Sequence, residues 1–169
     1  MTSDEALMLE FQRGSREAFE ELFARYRDPL YGFFRRRLES HPRAEDLTQE
    51  VFLAVMRAVS RYEPRALVRT YLYGIAFKLL SAERRRHRDA DTAAEPFVVG
   101  RPDEVLWVRE ALGRLETNDR EILMLREYEQ LSYIEIAELL RIPVNTVRSR
   151  LFRSRMALKS YLEPEVRNV

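Results

Sequence analysis

The 169 residues contain no cysteine and only two histidines, His41 and His87. The first absence excludes a disulfide framework and any thiolate metal site, and the second leaves too little imidazole for the usual zinc ligand sets. Asp46 and Glu50 share a helix face but have no histidine pair to complete a metal site. No enzyme, metal or cofactor is therefore expected. An uninterrupted run of about 18 apolar residues is also missing. The start, MTSDEALMLEFQRG, has neither a basic opening nor a long apolar stretch. The expectation is a soluble, cytoplasmic protein with no membrane insertion.

Hydrophobic residues make up 46% of the chain, enough for the core of one ordinary domain or two small ones. The formal net charge of +1 conceals an uneven layout. Residues 91–138 hold twelve acidic residues against five arginines, whereas residues 139–162 hold six basic residues and no acid. The partner-selecting field is therefore local to the C-terminal end.

Apolar spacing predicts helices throughout. A first pattern starts near Asp4 and breaks at Gly14-Ser15, with Ser15 opening SREAFEELFARY. Pro29 is expected in the first turn of a new helix, PLYGFFRRRL. Leu47, Val51, Phe52, Val55 and Val59 then share one helix face, and Leu72, Ile75, Ala76 and Leu79 form the expected buried stripe of the next. Residues 89–102 (DADTAAEPFVVGRP) lose the amphipathic period and read as a flexible linker, although Phe97, Val98 and Val99 offer a docking surface. The fold expected is all-α: two small helical domains, 4–88 and 103–163, joined by that linker.

The second domain carries the clearer motif. Ser132 followed by Glu135 fits a capping box, Ile136, Ala137, Leu139 and Leu140 supply an apolar face, and Pro143 suits the start of another helix. Two short helices joined by RIPV, the second strongly basic, make a helix-turn-helix. In NTVRSRLFRSRMALK (145–159), Val147, Leu151 and Leu158 face inward by spacing. Arg148, Ser149, Phe152 and Arg153 then project outward, suited to guanine edges and thymine methyls in a major groove. Arg150 and Arg155 are the candidates for phosphates, with Thr146 and the helix start adding short donors. The lack of acidic residues argues against an ordinary solvated face, which intersperses signs. Phe152 is placed in the groove or, with the helix rotated, in the core.

A second basic surface lies in the first half. Lys78, Arg84, Arg85, Arg86 and Arg88 face only Glu83, and Tyr62, Tyr71 and Tyr73 interleave with Arg61, Arg65 and Arg69. That mixture can stack unpaired bases while holding phosphates. Tyr71 and Tyr73 are equally suited to a core.

On two segments the chain resembles the extracytoplasmic-function (ECF) group of bacterial sigma-70 family factors. AEDLTQEVFLAVMRA with LVRTYLYGIAFKLLSAERRR is similar to the family's domain 2, and LSYIEIAELLRIPVNTVRSRLFRSRMALKSYL to its domain 4. The resemblance implies an RNA polymerase sigma factor with core RNA polymerase, promoter DNA and an anti-sigma protein as partners. It implies that Asp46, Gln49, Glu50 and Phe52 grip the polymerase clamp, with Phe52 alternatively in the core. It places Arg61, Tyr62, Arg65, Tyr71, Lys78, Arg84 and Arg85 at the minus-10 element, and Arg148, Ser149, Phe152 and Arg153 at the minus-35 element. The linker would thread through polymerase. Several positions depart from the family pattern: Tyr71 stands for Trp, Lys78 for Asn, Ala82 for Asp, Asn145 for Gly and Glu116 for Pro. Arg141 replaces a turn glycine, which predicts strained or altered turn geometry. The rival is a conventional helix-turn-helix regulator that binds a palindromic operator as a dimer.

Overall fold

The computed structural model describes residues 1–90 and 106–163. The expected linker, apart from Asp89 and Ala90, and its Phe97-Val98-Val99 docking segment lie outside the described residues. Among those described there is no strand, and the helices fall into two compact units divided between Pro96 and Phe97.

The first unit holds α1 (Asp4–Gln12), α2 (Arg16–Arg35), α3 (His41–Ala58), a single 3-10 turn (Val59–Arg61) and α4 (Val68–Ala90). Ser3, Ser15 and Ser40 cap the first three helices, each hydroxyl accepting the N–H three residues on. These caps satisfy amides that the first turn leaves without partners. Between α1 and α2, Gly14 has φ of 103°, a conformation open to glycine without steric cost. The expected break at Gly14-Ser15 is present.

The expected break at Pro29 is not. Pro29 lies inside α2, which runs unbroken from Arg16 to Arg35. An interior proline costs about 3 kcal/mol through its missing N–H and ring clash. Leu30, Phe33 and Phe34 beyond it are each 0% exposed, and burying each contributes about 1.5–3 kcal/mol. They stay in phase with Leu22 and Tyr26 only if the helix continues, so the stripe outweighs the breaker. The proline itself is exposed, where water can solvate the carbonyl of Arg25.

The unit's core also differs in phase along α4. Val68, Leu72, Tyr73, Ala76 and Leu80 are buried, while Ile75 and Leu79 are only half-buried. The ring of Tyr73 packs 5.6 Å from that of Phe33, so this tyrosine belongs to the core.

The second unit comprises α5 (Leu106–Gly113), α6 (Thr117–Glu127), α7 (Tyr133–Leu140) and α8 (Val144–Leu162), with α8 packed against the other three. Ile122, Leu125, Leu131, Ile136, Val147 and Leu151 form its centre. The capping box is complete: the Ser132 hydroxyl accepts the Glu135 N–H at 3.1 Å and the Glu135 carboxylate accepts the Ser132 N–H at 3.0 Å. Pro143 is the N-cap residue of α8. Between the two helices Arg141 adopts the left-handed conformation, φ 56° and ψ 48°. The glycine-like geometry anticipated from the sequence is retained without the glycine.

Candidate DNA interface

Helix α8 buries Val147, Leu151 and Ser154 and leaves the opposite face open; Leu158 is only half-buried. Phe152 is 68% exposed, which settles its orientation against the core. Beside it Arg148 and Ser149 are also exposed, and the Ser149 hydroxyl donates to the Thr146 carbonyl at 3.1 Å. Arg148 makes no hydrogen bond or ion pair with the described residues, so its fork is available to a ligand. Thr146 and Arg150 are half-buried along the same helix.

Two arginines of this helix are engaged. Arg153 donates from Nε and Nη2 to both carboxylate oxygens of Asp119, at 3.1 Å and 3.0 Å. Arg155 donates from Nη2 to Glu127 at 2.8 Å. Neither guanidinium is buried: the side chains remain 64% and 46% exposed. The Ser154 hydroxyl sits between the carbonyls of Asp119 (3.0 Å) and Arg150 (2.7 Å), tying the start of α6 to the middle of α8.

In the first unit, the segment between α3 and α4 frames an open concavity of about 390 Å³ lined by Ala58, Arg61, Tyr62, Glu63, Arg65 and Tyr71. Tyr62 is buried, with its ring 5.5 Å from that of the half-buried Tyr71. The Tyr62 hydroxyl has no hydrogen-bond partner. Burial pushes the pKa of both phenols up, so both remain neutral donors. Arg61 and Arg65 are exposed, Arg65 paired with Glu63.

Helix α1 braces this segment. The Gln12 amide donates to the carbonyls of Val59 (2.9 Å) and Tyr62 (2.8 Å), and the Glu5 carboxylate accepts the Val68 N–H at 3.0 Å, capping α4. Neither residue carries a sequence signal, because their partners lie 47 to 63 positions away.

Farther along α4, Lys78 and Arg85 are exposed and Arg84 is half-buried. Glu83, its side chain 5% exposed, anchors that basic end by accepting a bidentate pair from Arg43 (2.8 Å and 2.7 Å) and a bond from Arg86 (3.0 Å). The Arg43 hydrogen bonds and charge hold the Glu83 pKa below its usual value, against the opposing effect of burial.

The four residues expected at the polymerase clamp divide. On α3, Asp46 and Gln49 are exposed and Glu50 half-buried, with Arg43 Nη1 3.9 Å from Asp46 and 3.8 Å from Glu50. Phe52 is not on that surface. It is 5% exposed, its ring 4.8 Å from that of Phe23 and 6.2 Å from that of Phe19. The reading of Phe52 as a surface anchor is corrected in favour of the core, because α2 supplies a matching aromatic pair on the inward face.

Residues 22–90 match the family model of Sigma-70 region 2, and residues 106–158 that of Sigma-70 region 4. The RNA polymerase sigma-H factor of Pseudomonas aeruginosa is 32% identical, the alignment covering 97% of this chain and 96% of that one. The chain belongs to the ECF group of the sigma-70 family. The ECF RNA polymerase sigma-E factor of Escherichia coli K12 is 31% identical over 98% of this sigma factor and 97% of its own length. Two solved structures share the fold. CnrH in complex with the cytosolic domain of CnrY has a TM-score of 0.72 at 23% identity, covering 95% of this chain and 97% of its own. RpoE in complex with the anti-sigma factor NepR from Bartonella quintana has a TM-score of 0.68 at 22% identity, covering 87% and 98%. The present chain is thus an RNA polymerase sigma factor, a DNA-binding initiation factor, and the dimeric operator-binding regulator is not favoured. The region 2 match takes in α4 and the concavity before it, and the region 4 match the exposed face of α8.

Proposed function

We propose that this sigma factor reads two promoter elements with its two units while both hold core RNA polymerase. The face of α8 with Arg148, Ser149 and Phe152 enters the major groove of the minus-35 element, and Thr146 and Arg150 meet phosphates. The concavity between Arg61 and Tyr71 takes an unstacked base of the minus-10 strand, while Lys78, Arg84 and Arg85 follow the strand's backbone. Extracting a base costs a few kcal/mol, which the half-buried Tyr71 ring, backed by the buried Tyr62, offsets by stacking. Asp46, Gln49 and Glu50 present an acidic, amide-bearing strip to a basic polymerase surface. Polymerase supplies the phosphoryl-transfer chemistry, in the cytoplasm, and this chain supplies none.

The observation that carries the reading is the open α8 face, where Arg148 is free among the described residues and Phe152 is 68% exposed. An exposed, unpaired Arg148 beside an exposed Phe152 leaves this face open to unwanted contacts unless it is covered. An anti-sigma protein is therefore proposed as a further partner, in line with the NepR complex of the Bartonella relative.

Run-off transcription with purified core polymerase and genomic promoter fragments tests the proposal. Promoter-dependent transcripts from two distinct elements separated by a spacer are expected. A chain that neither binds core polymerase nor yields such transcripts refutes it.

A further inference from the structure

The ion pair between Arg153 and Asp119 is poorly explained by stability. Arg153 is 64% exposed along its side chain, and pairs with so exposed a partner contribute little. A carboxylate beside a phosphate-facing helix also opposes DNA binding in general. The geometry has another use. A guanidinium offers two donor edges, Nε with Nη2 and Nη1 with Nη2. Asp119 occupies the first edge with both of its oxygens. The Nη1 end has no partner among the described residues and remains exposed.

Asp119 itself is fixed. Its side chain is 11% exposed, and its carbonyl is held by the Ser154 hydroxyl at 3.0 Å, next along α8 from Arg153. The strut is therefore tied at both ends: Asp119 cannot drift from α8, and Arg153 cannot rotate freely about its long stem. Arg155 differs, since a single nitrogen meets one oxygen of Glu127 and the pair stays half open to water. Along the helix Arg153 lies five residues beyond Arg148, about 7.5 Å, or about two base-pair steps.

We propose that Asp119 is a positioning residue that holds the Arg153 guanidinium end-on toward a guanine, making Arg153 a base reader rather than a phosphate contact. The inference rests on the promoter reading above. It names a residue outside the recognition helix as a determinant of which base is accepted at one position. The carboxylate lowers general affinity for DNA and increases discrimination, because a guanidinium already oriented loses less freedom when it meets O6 and N7.

The test uses holoenzyme reconstituted from the full chain and core polymerase, transcribing promoter templates randomised through the upstream element, with sequencing of the transcribed pool. Wild type is expected to prefer guanine at one base pair by about 10-fold or more, and Arg153→Ala to lose that preference alone. Asp119→Asn is expected to reduce the same preference to about 3-fold or less, with preferences elsewhere intact and output from mismatched templates unchanged or raised. Arg153→Lys keeps the charge without the fork and is expected to lose the same guanine; a retained preference overturns the inference even if Asp119→Asn fails to fold by thermal melting. The inference is overturned if either variant retains the guanine preference, if the loss spreads evenly over all positions, or if Arg153→Ala affects no single base pair. Wild-type holoenzyme that selects nothing in the upstream element would instead refute the promoter reading, before any variant is compared.

Discussion

Replacing Arg141 with glycine is expected to stabilise the second unit. Arg141 is the left-handed residue between α7 and α8, at φ 56° and ψ 48°. Its backbone N–H and that of Ile142 both reach the Ala137 carbonyl, the Ile142 bond at 3.1 Å, so the turn holds whatever the side chain. The side chain is exposed and has no hydrogen bond or ion pair with the described residues. Only backbone terms then change. A non-glycine residue in this region costs about 1–2 kcal/mol. Glycine gains conformational entropy in the unfolded chain, which offsets about 0.4–1 kcal/mol. The net expectation for Arg141→Gly is a gain of about 0.5–1 kcal/mol, or roughly 2–8 °C in the melting temperature of a unit this small. The chain's one tryptophan, Trp107, lies in α5, so urea titration followed by its fluorescence reports the second unit without interference from the first. Arg141→Asn should recover part of the gain, because asparagine tolerates the left-handed region, and Arg141→Val should lose at least 1 kcal/mol or so. An Arg141→Gly chain no more stable than wild type, together with an Arg141→Val chain of wild-type stability, would refute the argument that strain is stored there.

Three further outcomes are expected. Glu83→Gln removes the carboxylate that pairs with Arg43, Arg86 and His87 and should destabilise the first unit by roughly 2–3 kcal/mol, below the 3–5 of a fully buried pair because Arg43 is partly solvated. Because the folded pKa of Glu83 is depressed, its contribution is complete above the usual carboxylate value and is lost as pH falls through the folded one. Calorimetry across the acid range should therefore show a shallower decline for Glu83→Gln than for wild type; parallel curves would remove Glu83 from the account. Arg148→Ala should cost about 1–3 kcal/mol of discrimination at a single base, whereas Arg150→Ala should weaken all sequences alike and reduce the salt slope by about 1. Equal losses on every template would reassign Arg148 to phosphate. Tyr62→Phe removes a buried hydroxyl with no partner and should raise stability by about 1 kcal/mol, read by urea titration. A destabilised Tyr62→Phe would show that the hydroxyl is satisfied in the free protein.

Local chemistry was legible in the sequence. The Ser132-Glu135 capping box, the Gly14-Ser15 break and Pro143 at the entry to α8 each depend on residues within four positions of one another, and each is present. The outward face of α8 followed from Val147 and Leu151, which fix its rotation. Pro29 lies inside α2 rather than at a helix start because a breaker's cost is local whereas the buried stripe that overrides it spans the helix. On α4 nearly every position in the middle is apolar or aromatic, so periodicity alone did not separate Leu72 and Leu80 from Ile75 and Leu79. Phe52 was ambiguous for a related reason, its partners Phe19 and Phe23 lying on another helix. The pairs Arg153-Asp119 and Arg43-Glu83 were not legible at all. They join residues 34 and 40 positions apart, and an aspartate in the first turn of α6 already has a sufficient local reason in the helix dipole.

The bracing of the strand-capturing segment by α1 has a consequence for biosynthesis. Gln12 and Glu5 are synthesised well before the atoms they bind, which come 47 to 63 positions later. Closing a span of that length costs roughly 3.5 kcal/mol in chain entropy, so the two contacts form late and depend on prior packing of the other helices. A nascent chain that ends before Val68 has its first three helices but no finished cradle for a nucleobase.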